Sequence, residues 1–164
     1  MGKIKKIVLT LILFLGVENI YADEVLTDKQ AKIILADENQ VLPITKQLFS
    51  NGIFSKKNFI SDAESYRGYY LANKKLNFMN FDVLAYQVIH FEVNVGCCVG
   101  SENSLILAPK INANLGGLQK FAKDNKCEIE SNSVISDMPD EVSVKLISKA
   151  KTSKLFSLSC EVDR

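Results

Sequence analysis

Four cysteines and a single histidine are the residues of this chain best suited to chemistry. Cys97, Cys98, Cys127 and Cys160 could act as nucleophiles, metal ligands or disulfide halves, and His90 is the only imidazole. A cysteine nucleophile needs a base within hydrogen-bond reach. His90 and Cys98 share one strand-like run, and along an extended strand they would lie about 26 Å apart at ~3.3 Å per residue. The spacing therefore argues against a Cys–His pair. It also argues against zinc, because Cys97 and Cys98 are adjacent rather than two residues apart and the other two are distant. No metal and no cofactor is expected.

Carboxylates are the next source of chemistry. Asp137, Asp140 and Glu141 cluster around Met138-Pro139. Two carboxyls at the right separation could hydrolyse a glycoside, but an acidic cluster around proline reads as a solvated turn. The chain has no G-x-S-x-G elbow and no phosphate loop, and Gly116-Gly117 alone does not make a nucleotide site. No catalytic residue is assigned. For binding, the densest group is Tyr66, Arg67, Tyr69 and Tyr70. Tyrosine and arginine are enriched where interfaces hold most of their energy. A second candidate is Gly96-Cys97-Cys98-Val99-Gly100, a loop that disulfides would stiffen, lowering the ordering cost of binding.

The fate of the cysteines depends on the compartment. Lys3, Lys5 and Lys6 precede an uncharged apolar run, Ile7 to Gly16, and Ala22 offers a small residue for cleavage. This is the pattern of a secretory signal peptide over residues 1–22. The run is shorter than the roughly 20 apolar residues of a membrane span. Ile20, three residues back from the cut, is larger than the small residue preferred there. No cysteine follows the apolar run closely, so no lipid anchor is expected. The mature chain, 23–164, would then be a single exported domain, periplasmic or secreted, with no membrane span.

In that setting an even cysteine count reads as two disulfides. Closing Cys97 on Cys98 forces a strained ring, because neighbouring Cα atoms lie closer than a disulfide prefers. Alternation along Val83–Val99 points Cys97 inward and Cys98 outward, with Tyr86 and His90 also outward. Pairings that send Cys97 and Cys98 to separate partners, Cys127 and Cys160 in either order, are therefore preferred. Cys160 shares the inward face of Phe156, Leu158 and Val162.

Cleavage would remove three lysines and one glutamate from 20 basic and 19 acidic residues, leaving 17 and 18. That balance offers no field for a polyanion, so no nucleic-acid partner is expected.

The elements around these residues mix helices and strands. Thr27-Asp28 can cap a helix beginning near Lys29, Pro43 interrupts its apolar stripe, and Ile44–Phe49 can resume as a second helix ended by Asn51-Gly52. Lys56–Ser65 reads as a loop or short helix. Tyr66–Leu71 and Leu76–Phe81 read as a hairpin, and Val83–Val95 as the longest strand. Ser104–Ala108 is a strand ended by Pro109. Asn114 can cap a helix over Leu115–Asp124, and Cys127–Glu130 is a strand. Val142–Ile147 and Leu155–Val162 read as a closing hairpin. The whole is a disulfide-stabilised α+β domain, mostly antiparallel, with an N-terminal helical region and one later helix.

With these elements and no catalytic set, the sequence points to an exported, non-enzymatic domain that binds another protein. An inhibitor or immunity protein against a secreted enzyme would be one such domain. The competing readings are a cell-envelope enzyme acting through carboxylates and a small-molecule carrier.

Overall fold

A computed structural model describes residues 24–36, 41–61, 66–90, 101–131, 136 and 138–161. The expected signal peptide, Asp137 and the Cys97-Cys98 pair lie outside the described residues, as do the side chains of Tyr66 and His90.

The chain order is β1 (Glu24–Val25), α1 (Asp28–Ala36), α2 (Val41–Ser50), β2 (Phe54–Ser61), β3 (Tyr66–Ala72), β4 (Leu76–Phe78), β5 (Phe81–His90), β6 (Ser101–Pro109), α3 (Leu115–Asp124), β7 (Cys127–Ser131), α4 (Asp140–Ala150) and β8 (Phe156–Glu161). This is an α+β fold with one eight-stranded sheet, antiparallel except where β1 runs beside β4. Along the sheet, β5, β6, β8 and β7 follow one another. β4 and β3 both lie along the other edge of β5, and β2 pairs outside β3.

Local chemistry sets the helix ends. Thr27 and Gln30 cap α1 reciprocally: the Thr27 amide donates to Gln30 Oε1 at 3.0 Å, and the Gln30 amide donates to Thr27 Oγ1 at 3.3 Å. Pro43 sits in the first turn of α2, where the missing amide hydrogen has no carbonyl to serve. α2 ends in a Schellman motif. Gly52 has φ +68°, its amide donates to Phe49 O, and the Ile53 amide donates to Leu48 O. Asn114 caps α3, accepting from the Gly117 amide at 2.8 Å, as its position in the sequence implied.

Two helical layers cover the sheet. On the first face, α1, α2 and α3 pack Ile34, Leu35, Leu48, Leu118 and Phe121 against Phe78, Phe81, Leu105, Leu107 and Leu158. On the second face, α4 packs Val142 and Leu146 against Tyr69, Leu71, Ala85 and Ile106. Across β3, β5, β6, β8 and β7 the register lines up Tyr69, Gln87, Ser104, Ser159 and Glu128. A one-residue slip of β6 or β8 would set this polar row against Leu105 or Leu158 of the other face.

Several elements differ from the sequence reading. Val142–Ile147 is part of α4, not a strand. Val142 and Leu146 stand four apart on one face, Asp140 and Glu141 occupy the first turn, and Glu141 pairs with Lys145 at 2.6 Å. Asp140 and Glu141 thus open a helix, where the sequence reading placed a solvated turn. Residues 54–61 form an edge strand, with a bulge between Phe54 and Asn58 and exposed Lys56 and Lys57, two devices that discourage edge-to-edge pairing. β3 and β4 do not pair with each other. The tight hairpin is β4–β5, whose two turn residues, Met79 and Asn80, have φ +50° and +64°, the backbone of a type I′ turn.

Among the described residues the disulfide is Cys127–Cys160. The preferred pairings, which sent Cys97 and Cys98 to Cys127 and Cys160, are thereby overturned: Cys127 and Cys160 face each other directly across the β7–β8 ladder. Cys160 does point inward, at 1% exposure. The outward assignment of Tyr86 fails for a different reason. Leu84 is an extra residue in β5, lying between Val83, which faces Leu107, and Ala85, which faces Ile106. This bulge reverses the alternation, so Phe81, Val83 and Tyr86 all enter the first-face core while Leu84 and Ala85 enter the second.

The two glycines of α3 should behave oppositely. A Cβ on Gly116 meets open space, whereas one on Gly117 would lie 2.3 Å from Asn114 Nδ2. Gly116→Ala is expected to stabilise the protein by about 0.5–1 kcal/mol in urea unfolding. Gly117→Ala is expected to give no gain or a loss, because it displaces a cap worth ~1 kcal/mol.

Candidate functional site

Tyr66, Arg67, Tyr69 and Tyr70 lie on β3 around Gly68, and alternation divides Tyr69 and Tyr70 between the two faces. Tyr69 is completely buried at 0% exposure, and its hydroxyl accepts from Gln87 Nε2 at 3.2 Å. Tyr70 is half-buried on the opposite face. Its ring meets Phe49 edge-on at 4.9 Å and stacks near Tyr86 at 6.2 Å. Arg67 is half-buried opposite Ile89, and the Tyr66 backbone pairs with His90. Arg67, Tyr69 and Tyr70 are thus divided between the two faces of β3, with Tyr69 and Tyr70 turned to opposite cores. Tyr69 and Tyr70 act chiefly as core.

An exposed apolar residue stands elsewhere, where two turns are bound together. Pro109 ends β6 opposite Phe81. The chain then turns at Lys110–Ala113, closed by the Ala113 amide donating to Lys110 O at 3.0 Å. This turn rests on the type I′ turn of Met79-Asn80. The Lys110 amide donates to Asn80 O at 3.3 Å, the Asn114 amide to Met79 O at 3.2 Å, and Asn80 Nδ2 to Asn112 O at 3.2 Å. Lys110 Nζ reaches back to Asp82 Oδ1 at 3.1 Å.

Ile111 occupies the second position of this pinned turn and is 102% exposed. Leu115, the first residue of α3, is exposed to 40%. Single exposed apolar residues are ordinary on protein surfaces. Ile111 differs in how it is held, because hydrogen bonds on both sides fix the backbone that presents it and its β-branched side chain is stiff at χ1. Such an anchor has little freedom left to lose on binding. In the sequence the only mark was an isolated aliphatic residue between Pro109-Lys110 and Asn112, a signal weaker than the tyrosine cluster.

The remaining chemistry is sparse. Asp140 and Glu141 are exposed at the start of α4, and the Lys145 ammonium, hydrogen-bonded to Glu141, holds that carboxyl below its ordinary range. Among the described residues no three histidine, cysteine or acidic side chains converge to hold a metal. No protein-family model, no curated protein and no solved structure matches the chain.

Burial raises the Tyr86 phenol well above its usual range, and the neighbouring Tyr70 adds to the shift. A group with a raised folded-state value contributes stability that is complete below pH ~10 and is lost as the pH rises further. In a spectrophotometric titration the Tyr86 phenol is expected to ionise only as the fold is lost. Tyr86→Phe should remove one ionisation from that step.

Proposed function

We propose that the chain is exported to the periplasm or beyond and acts there as a non-enzymatic protein-binding domain, with Ile111 as the anchor that enters its partner. Export is supported by the lysine-led apolar segment at the N-terminus and by a disulfide of the kind that persists in oxidising compartments. Among the described residues no helix is long and apolar enough to cross a membrane.

The observation that carries the binding role is the full exposure of Ile111 on a turn pinned to its neighbour. Ile111 stands fully exposed beside Asn80, Pro109, Lys110 and Asn112, so an apolar recess on the partner is the surface that would receive it. An inhibitor or immunity protein against a secreted enzyme is one form such a binding domain takes.

Two measurements test the reading. N-terminal sequencing of the protein recovered outside the cytoplasm is expected to begin at Asp23. A photoreactive residue at position 111 is expected to give one discrete adduct with a secreted enzyme, and the same residue at exposed Val144 on α4 none. Ile111→Ser should weaken the isolated complex by about one to two orders of magnitude, the worth of burying one isoleucine. Its unfolding curve should stay within ~0.5 kcal/mol of wild type. Equal adducts from both positions, or unchanged affinity in Ile111→Ser, would remove Ile111 from the interface.

A further inference from the structure

The edge of β5 is interrupted on the side opposite β6. β4 pairs with Asp82 and β3 resumes at Ala85, so Val83 and Leu84 have no ladder partner there. Residues 73–75 loop outward over this break, leaving a cleft of about 240 Å³. Its walls are apolar at Ala72, Leu76, Val83 and Leu84, and Lys74, Lys75 and Lys149 stand around it. We propose that this cleft binds a carboxylate carried on a short apolar body, with the lysine ammonium groups on the carboxylate and the aliphatic walls on the body.

Lys74 and Lys149 bring positive charge to the cleft. Asp82 is the acid in the lining, and its carboxylate already faces Lys110 at 3.1 Å. Lys149 Nζ donates to the Ala72 carbonyl where β3 leaves the ladder, and Lys74 Nζ donates to the Asn51 carbonyl at 2.7 Å. A carbonyl takes one of an ammonium's three N–H bonds and none of its charge. Neither lysine has a carboxylate partner among the described residues. Partial burial against the sheet holds Lys149 below its ordinary range. The volume corresponds to about eight waters at ~30 Å³ each, enough for a carboxylate and a short aliphatic chain. A free aliphatic acid and the C-terminal carboxylate of a peptide ending in an aliphatic residue share this chemistry.

The test uses the full mature protein with lysine labelled at Cε, titrated with hexanoate, with hexanol, and with a valine-ended peptide in free-acid and amide forms. Hexanoate is expected to shift the Lys149 signal saturably and to raise its titration midpoint, while hexanol and the amide do neither. Tighter binding of the free-acid peptide than of hexanoate identifies a chain terminus as the source, and the reverse order identifies a free acid. Lys149→Met, which keeps the apolar stem, is expected to weaken hexanoate binding by about tenfold. Should that variant fail to fold, Lys74→Gln with Lys75→Gln is expected to weaken it to a similar degree. Ile111→Ser should leave it unchanged. Equal binding of hexanoate and hexanol, no shift at Lys149, or wild-type affinity in the lysine variants would overturn the proposal.

Discussion

A strand inside a sheet must find partners for its amides and carbonyls along both edges, and β5 does so with three different neighbours except at Val83-Leu84. β6 accompanies it along one side, while on the other β4 serves its first two residues and β3 its last six. The exchange falls at Val83-Leu84, where the bulge against β6 also falls. One irregular dipeptide thus changes the strand's neighbour and reverses which face its side chains enter. The entry of Tyr86 into the first-face core and the cleft beside residues 73–75 both follow from it. The Ala72 carbonyl, released from the ladder at this break, is met by the Lys149 ammonium. That bond ties α4 to the sheet where the sheet is least regular.

The two faces are stabilised in different ways. The first is dominated by aromatic contacts: Phe78 meets Phe121 edge-on at 5.2 Å, and Phe81 meets Phe156 at 5.7 Å. Such pairs add to the energy of burying the rings. The second face mixes aliphatic contacts under α4 with buried polar groups, among them Gln87 and Ser104. Buried polar groups add little net stability when satisfied and cost much when not, so they specify register more than they strengthen the fold. The first face is where stability concentrates, and the second is where alternative alignments of the strands are rejected.

Much of this was legible in the sequence where local chemistry decides. Asn114 ahead of an amphipathic run gives α3 its start, and the α+β class follows from the mixture of periodicities. The inward side of Cys160 follows from its neighbours Phe156 and Leu158. What could not be read depends on partners distant in sequence. Val142, Val144 and Ile147 are β-branched and look like a strand, yet Val142 and Leu146 fit one helical face, and the tertiary contact outweighs propensity. Nothing in the residues around Leu84 announces a bulge, and without it the parity of every later residue in β5 is misread. The tyrosines of β3 drew attention by type, but whether a tyrosine serves core or surface depends on what covers the strand. Ile111 carries no local signal, because the turn that presents it is held by hydrogen bonds to a turn some 30 residues earlier.

The position of β8 bears on the timing of folding. It is the last described strand along the chain, yet it lies inside the sheet between β6 and β7, and β7 has no other partner among the described residues. As the chain emerges from its N-terminus, β7 and Cys127 appear with their ladder still missing, and β6 keeps one edge open. Closure of the sheet therefore waits for β8. When Cys160 arrives it enters from between β6 and β7, and the bond to Cys127 encloses all of α4 in a covalent loop. Locking of the second layer thus follows the insertion of β8 and cannot precede it.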